Sequence, residues 1–345
     1  MKYPRQEPPN AVQIELVEGC NLRCAVCGLN GIRGKANDYK AMETATLKSA
    51  IEQMVALDWN PRIEFAMHGE PSMHPDFNAM VRVAREVGPR FQIMMTSNGG
   101  GFLSKPGPLA KVRGFFEAGG NVLAFDDYEN ANLVPKIRKA LEPYTEQAID
   151  SACAAILSFK GGPAVDVYEY PQMREGNPHT RGHVSESRLV FIQDLITASK
   201  GTHSHVNNHA GAGGPPNEKG QGKRCAKPFR ELSIRWDGNV AVCCNDWRGI
   251  YQCGNVVKDG LDAVWNGRAM GAARVKLYHR ERDFGPCEGC DALSTRVGLL
   301  PDKLGKEEMP KPDAGVKRDI AAALAKGPFT KPVLRPWEVT SGKSK

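Results

Sequence analysis

The sequence of 345 residues contains no apolar run that approaches the roughly 20 residues needed to cross a bilayer as a helix. Its first ten residues, MKYPRQEPPN, also lack the apolar centre of a secretion signal. Internal repeats and low-complexity tracts are missing as well. These absences argue against membrane, secreted and repeat proteins, and they predict a cytoplasmic protein with no membrane partner.

Neither sign of charge dominates the chain. The formal net charge is +7, and the segment from Pro301 to Lys345 supplies +4 of it, with ten Lys or Arg against six Asp or Glu. A weakly basic body permits contact with a phosphate-bearing partner without requiring one, because charged runs are usually solvated surface. The composition is otherwise that of a globular protein, and the length predicts a main domain with a smaller one.

The ten cysteines are the most informative residues. The cytosol keeps thiols reduced, so closely spaced cysteines there indicate metal or redox chemistry rather than disulfides. Cys153, which stands alone in an apolar, helix-like stretch, is expected to be a small buried side chain.

Six segments have strand-like patterns bounded by Gly, Pro or Asn, and helix-like stretches such as Thr44 to Leu57 and Pro75 to Val87 lie between most of them. This alternation predicts an α/β fold in which parallel strands curl into a partial (β/α)6 barrel, with the active site at the C-terminal strand ends. The predicted strands are Ala11 to Val17, Arg62 to Met67, Phe91 to Thr96, Val122 to Phe125, Asp166 to Tyr170 and Arg188 to Ile192.

The chain divides by composition into a main domain at residues 1–208, a linker rich in Gly and Pro at residues 209–223, a small α+β domain at residues 224–300 and a basic tail at residues 301–345. The small domain carries six of the ten cysteines. Within the tail, Ile320 to Lys326 is a short helical candidate.

The first cysteine group, Cys20, Cys24 and Cys27, follows the first predicted strand on one loop. Three thiolates in this spacing can hold three irons of a cubane and leave the fourth iron open. A zinc ion is the alternative, although the triplet has no obvious fourth ligand nearby.

This spacing resembles the motif of the radical S-adenosylmethionine (SAM) superfamily. The resemblance implies a [4Fe-4S] cluster whose open iron binds SAM, reductive cleavage of SAM to a 5′-deoxyadenosyl radical, and hydrogen abstraction from a substrate. It also implies an electron donor of the flavodoxin or ferredoxin type.

Other segments resemble the SAM-binding motifs of this superfamily. A GGEP-like motif follows the second strand, with His68 in place of its first glycine. The segment TSNG ends the third strand, and the fourth strand ends in an aspartate where relatives often have Ser-x-Asp; for this aspartate, a turn carboxylate is the alternative. The resemblance therefore implies SAM contacts by Gly69, Glu70, Pro71, Ser97, Asn98 and Asp126.

The second cysteine group spans the small domain. The segment SIRWDGNVAVCC predicts a hairpin turning at Asp237 and Gly238, which would bring Cys243 back toward Cys225. The pattern, with CCND, GNV and LDAVWNG, resembles SPASM and Twitch radical SAM enzymes and implies one auxiliary [4Fe-4S] cluster, since no cysteine follows Cys290. Zinc is again the alternative, and Cys244 and Cys253 are expected to pack nearby rather than to ligate. The implied ligands are Cys225, Cys243, Cys287 and Cys290.

No sequence motif identifies the substrate. The compact layout resembles small-molecule radical SAM enzymes and those of bacteriophage DNA hypermodification, which would act in the host cytoplasm. The specific hypothesis is an isomerase of glycine-modified thymidine in phage DNA. The alternatives are a dehydrogenase of a small alcohol or amine, a peptide-modifying enzyme, and a non-enzymatic electron carrier or zinc protein. The peptide-modifying enzyme is disfavoured because fewer than twenty residues precede Cys20. Substrate contacts are expected among Glu169, Arg174, His179, Arg181 and Asp194.

Overall fold

A computed structural model of the chain describes residues 2–24, 27–31, 39–128, 132–149, 153–170, 187–192, 208–214, 220–292 and 308–327. Among the described residues, none of the helices combines the length and apolar character that a membrane span requires. Four of the residues predicted to contact substrate lie outside the described residues: Arg174, His179, Arg181 and Asp194.

An eleven-stranded sheet organises the chain, in the order β13-β12-β11-β1-β4-β5-β6-β10-β9-β8-β7. The seven strands from β11 to β9 in this order run parallel, and an antiparallel pair flanks them on each side. A separate small ribbon pairs β2 with β3. The strands are β1 (Ala11–Ile14), β2 (Val17–Glu18), β3 (Lys40–Ala41), β4 (Arg62–Phe65), β5 (Ile93–Ser97), β6 (Val122–Asp126), β7 (Thr145–Gln147), β8 (Ala155–Ser158), β9 (Ala164–Tyr170), β10 (Arg188–Ile192), β11 (Glu231–Ile234), β12 (Asn239–Ala241) and β13 (Gln252–Asn255).

Helices between the parallel strands cover one face of the sheet. Leu47, Ile51 and Met54 recur at helical spacing on α1 and are fully buried with Val12 and Ile14 of β1 in the main core. The helices are α1 (Thr44–Ala56), α2 (Phe77–Val87), α3 (Pro108–Glu117), α4 (Val134–Leu141), α5 (Lys227–Arg230), α6 (Leu261–Trp265), α7 (Arg268–Tyr278) and α8 (Ala314–Ala325).

The other face of the sheet has an apolar part and a polar part. Residues of β5, β6, β9 and β10 form a second, smaller apolar cluster that includes Met94, Val122 and Val190. On β1 and β4 the same face carries buried polar side chains, since Gln13 Nε2 donates to Glu64 Oε2 at 3.0 Å. A buried polar face of this kind suits a ligand with hydrogen-bonding groups better than a purely apolar one.

The fold class predicted from the sequence is confirmed, and each of the six predicted segments contributes a strand to the large sheet. The first of these strands ends at Ile14, and Val17 belongs to the small ribbon. Two details differ. In space β10 lies between β6 and β9, so the last two predicted strands do not follow chain order. The stretch after Cys153 is the strand β8 rather than a helix, although Cys153 itself is buried as expected.

The cysteine-rich segment joins the same sheet. Its strand β11 pairs in parallel with β1, and β11 and β12 form the predicted hairpin, with Gly238 at a φ of 81° in the turn. The first part of the predicted linker packs on the cysteine-rich segment, because the ring centroids of His209 and Trp247 lie 4.9 Å apart. The helical candidate in the basic tail is the end of α8.

Candidate radical SAM site

The first cysteine loop lies at the C-terminal end of the parallel strands, beside the Gly69-Glu70-Pro71 segment. Cys20, Cys24 and Cys27 are all partly exposed. The Glu70 amide donates to the carbonyl of Gly19 at 2.9 Å, and a Cβ at Gly69 would lie only 1.7 Å from the carbonyl oxygen of Val17. Only glycine permits this close approach of the two backbones.

Glu70 is the centre of a buried hydrogen-bond network. Its Oε1 accepts from Ser72 Oγ and from Ser97 Oγ, each at 2.6 Å, and its Oε2 accepts from the amide of Asn98 at 2.7 Å. Burial raises the pKa of Glu70, and the hydrogen bonds from Ser72, Ser97 and Asn98 oppose that rise. A fixed carboxylate in this position can hold a cationic group such as an ammonium.

Asn98 connects this network to the cysteine loop. Its Nδ2 donates to Cys20 Sγ at 3.3 Å and to Asn21 Oδ1 at 3.0 Å. The sharp turn after β5 requires Gly99, whose φ is 84°. The structure therefore brings Glu70, Ser97 and Asn98, from the segments that resemble SAM-binding motifs, together with Cys20.

Asp126 lies at the end of β6 and is buried. Tyr128 forms a hydrogen bond with it, and burial and then the charge of Asp126 raise the pKa of Tyr128 well above its usual value. The charges of Cys24 and Glu70 raise the pKa of Tyr128 further. Sequence reasoning missed Tyr128, whose only signal was a phenol two residues beyond a strand end.

The second cysteine group surrounds one cavity. Cys225, Cys243, Cys287 and Cys290 line it together. Burial raises the pKa values of Cys243, Cys287 and Cys290, and neighbouring cysteine charges raise them further. Thiolates at this position need a positively charged centre, which a metal cluster supplies.

Four cysteines that line one cavity fit a cubane, whose irons are bound by separate cysteines. A tetrahedral zinc site would also use four thiolates, each about 2.3 Å from the ion.

The two additional cysteines of this region occupy different surroundings. Cys244 Sγ lies 3.2 Å from Lys227 Nζ, and its side chain does not line the cavity. Cys253 is buried in the main core, where desolvation raises its pKa far above the usual value. That these two residues pack beside a cluster rather than bind it stays a prediction.

Glu169 is the described member of the predicted substrate contacts. It is exposed on β9 and forms an ion pair with Arg138 of α4. The structure gives it a surface contact and does not bring it to Glu70 or to the cysteine loops.

Comparisons with known proteins agree with this geometry. The SPASM family model, described as an iron-sulfur cluster-binding domain, matches residues 225–291. The S-adenosyl-L-methionine-dependent 2-deoxy-scyllo-inosamine dehydrogenase of Niallia circulans is 30% identical over 294 residues, which cover 83% of this chain and 94% of that protein.

Two solved structures share the fold. The crystal structure of BtrN in complex with AdoMet and 2-DOIA gives a TM-score of 0.59 at 18% identity, covering 83% of this chain and 94% of that one. The crystal structure of SeMet BtrN in an open conformation gives 0.54 at 17% identity, covering 84% and 95%. At these identities the likeness concerns the fold alone.

A parallel α/β sheet with one cysteine loop at its C-terminal edge and a second cysteine group beside it defines an iron–sulfur enzyme. The chain belongs to the radical SAM family and carries a SPASM/Twitch-like C-terminal region. Its cofactors are [4Fe-4S] clusters and SAM, and an enzyme of this type requires a reductant and a substrate. The comparisons lend no support to the thymidine isomerase hypothesis and fit the dehydrogenase alternative better.

Proposed function

We propose that this protein is a radical SAM dehydrogenase that oxidises an alcohol or amine carbon of a small polar molecule. The observation that carries the proposal is the cavity lined by Cys225, Cys243, Cys287 and Cys290, since a cluster fully ligated by cysteines is suited to accept an electron. The 30% sequence identity to a SAM-dependent dehydrogenase, over most of both chains, supports the proposal. The buried polar face around Gln13 and Glu64 suits a hydrogen-bonding substrate.

The proposal assigns the two cysteine groups to different tasks. Cys20, Cys24 and Cys27 hold the cluster that binds SAM, and the four cysteines of the cavity hold the auxiliary cluster. The division into a core at residues 1–208, a linker at 209–223, an auxiliary domain at 224–300 and a basic tail at 301–345 is part of the same proposal. The SPASM match at residues 225–291 supports the auxiliary domain at residues 224–300.

The SAM-binding cluster supplies an electron that cleaves SAM to a carbon radical able to remove a substrate hydrogen atom. Glu70 is placed to accept hydrogen bonds from the SAM amino group, and Ser72, Ser97 and the Asn98 amide fix its orientation. Gly69 and Pro71 shape the backbone around it. Asp126, the last residue of β6, and the Asn98 side chain, which donates to Cys20 Sγ, complete the proposed SAM contacts.

The dehydrogenation balances without an added oxidant. The carbon-bound hydrogen of the alcohol or amine leaves as a hydrogen atom and becomes part of 5′-deoxyadenosine. The proton on oxygen or nitrogen would pass to solvent, and the remaining electron would pass to a cluster held by Cys225, Cys243, Cys287 and Cys290. One SAM is therefore consumed, and one 5′-deoxyadenosine and one methionine are formed, for each carbonyl or imine product.

The test is a stoichiometry measurement. The reconstituted, reduced enzyme is incubated with SAM and a panel of polyhydroxylated alcohols and amines, with 2-deoxy-scyllo-inosamine as the first member because the curated relative is named for it. A flavodoxin or a ferredoxin serves as the electron donor beside a chemical reductant. We expect about one 5′-deoxyadenosine per oxidised product.

The thymidine isomerase predicts a different result in the same assay. An isomerase can regenerate SAM, and its substrate is glycine-modified thymidine in DNA. Isomeric nucleoside formed with less than one SAM consumed per product, and no oxidation of any alcohol or amine, would reject the dehydrogenase.

A further inference from the structure

His68 is buried and contacts two separate parts of the molecule. Its Nε2 lies 2.7 Å from the carbonyl oxygen of Cys244, and its Nδ1 lies 3.2 Å from Oε1 of Glu15. Because a carbonyl oxygen can only accept, Nε2 is the donor in the first of these contacts. The residue that immediately precedes Gly69 therefore holds the backbone of the cysteine-rich segment.

The Glu15 carboxylate ties His68 to the sheet. Burial alone would raise the pKa of Glu15, but the charge of Arg235 and then the contact with His68 outweigh burial and lower it. Arg235 lies in the β11–β12 hairpin, and its Nε is 3.8 Å from Oε2 of Glu15. Its Nη1 donates to the carbonyl of Trp247 at 2.9 Å. The imidazole of His68 therefore lies beside the buried ion pair of Glu15 and Arg235.

Trp247 extends the contact to the other cysteine loop. Its ring packs on the imidazole of His68 with centroids 4.7 Å apart. A Cβ added at Gly28 would lie 2.6 Å from Trp247 Cδ2, so the indole also covers the backbone next to Cys27. His209 packs on the same indole at 4.9 Å.

These contacts form a continuous packed connection between the two cysteine groups. The path runs from Cys27 and Gly28 through Trp247 and His68 to the Cys244 carbonyl, and Cys244 follows the proposed ligand Cys243 directly. A glycine at position 68, as in the GGEP-like motif of the family, has no side chain to make the middle contact.

We infer that His68 is a positioning residue that couples the SAM-binding segment to the loop carrying Cys243, with Trp247 packed as the bridge to the first cysteine loop. The inference rests on the proposed ligand roles of the cysteines. A donor to the Cys244 carbonyl polarises the Cys244–Asn245 peptide group, one residue beyond the ligand Cys243. A polarised amide near a cluster stabilises its reduced, more negative state, and hydrogen bonding and burial are known to set cluster potentials. His68 therefore tunes the auxiliary cluster from within the SAM-binding segment.

The experiment isolates the auxiliary cluster in the full-length chain. A Cys24→Ala background removes a ligand of the SAM-binding cluster, so that the auxiliary cluster is measured by itself. His68→Leu keeps apolar bulk without a donor, and His68→Gln keeps a side-chain donor. His74→Leu is the matched control, because His74 Nε2 also contacts a backbone carbonyl, that of Met42 at 3.0 Å, but within the main domain.

Redox titration followed by electron paramagnetic resonance measures the outcome. We expect His68→Leu to lower the equilibrium constant for reduction by on the order of tenfold, which is about 59 mV for one electron. His68→Gln and His74→Leu should titrate with the parent. Loss of the cluster in His68→Leu, with retention in His68→Gln and His74→Leu, would support the same coupling.

A parent-like titration of His68→Leu, or an equal effect of His74→Leu, overturns the inference. Loss of the cluster in all three variants does so as well, because the effect would then be general instability. The measurement needs neither SAM nor substrate, so absence of a dehydrogenase product leaves its result intact. A parent-like titration, conversely, leaves the dehydrogenase proposal standing.

Discussion

The backbone amide of Asn98 donates a 2.7 Å hydrogen bond to Oε2 of Glu70, across the gap between the ends of two neighbouring strands. The Asn98 side chain meanwhile donates to Cys20 Sγ. One residue thereby fixes the carboxylate proposed to bind SAM relative to the sulfur proposed to bind iron. The strength of SAM binding should depend on this spacing.

Glu70→Gln should weaken SAM binding by about tenfold or more. Both carboxylate oxygens accept from donors, so the amide nitrogen of glutamine faces a donor in either orientation, and a buried unmade hydrogen bond costs about 1–3 kcal/mol. Equilibrium binding of SAM to the reconstituted protein measures the change. Glu86→Gln, on the exposed face of α2, is the control, and equal SAM affinity in the two variants would contradict the role of Glu70.

Alanine substitutions should separate the two clusters. We expect Cys24→Ala to abolish reductive cleavage of SAM, because the loop then lacks one of its three iron ligands. Cys287→Ala should retain some SAM cleavage that is uncoupled from product formation. Iron content and 5′-deoxyadenosine release measure the two effects, and loss of all cleavage in Cys287→Ala alone would reverse the assignment.

The sequence predicted the parts of this fold that depend on local patterns. The strand Arg188–Ile192 has the predicted bounds, since its apolar run is short and flanked by polar residues. The position of β10 between β6 and β9 was not predictable, because strand order depends on long-range packing that no local pattern encodes. Cys153 was assigned to a helix-like stretch for a different reason, because a short apolar run suits either a helix or a strand.

Sequence motifs also predicted the centre of the site better than its surroundings. Glu70, Ser97 and Asn98 could be named because they stand in recognisable segments at strand ends. The contact of His68 with Cys244 spans 176 positions and joins two segments that resemble separate motifs. His68 looked like a departure from a glycine pattern, and only the structure gives it a partner.

Gly69→Ala should disrupt the first cysteine loop. The added Cβ would meet the carbonyl oxygen of Val17 at 1.7 Å and that of Gly19 at 2.7 Å, and backbone atoms cannot move aside as a flexible side chain can. We expect impaired assembly of the SAM-binding cluster, measured as iron bound in a Cys287→Ala background. Gly214→Ala is the control, since its Cβ would meet nothing closer than 3.5 Å. Equal iron content in the two variants would show that the loop can shift without cost.

Tyr3→Phe should destabilise the protein without touching either cysteine group. The Tyr3 hydroxyl donates to Asp319 Oδ2 at 2.8 Å and joins the N-terminal segment to α8, and both side chains are buried. Removing the hydroxyl leaves a buried carboxylate oxygen without this donor, which costs about 1–3 kcal/mol. Denaturant unfolding measures the loss, with Tyr144→Phe at a surface position as the control for removing a phenol hydroxyl. Equal unfolding midpoints for the two variants would mean that water or another donor replaces Tyr3, and α8 would then be held by its apolar contacts alone.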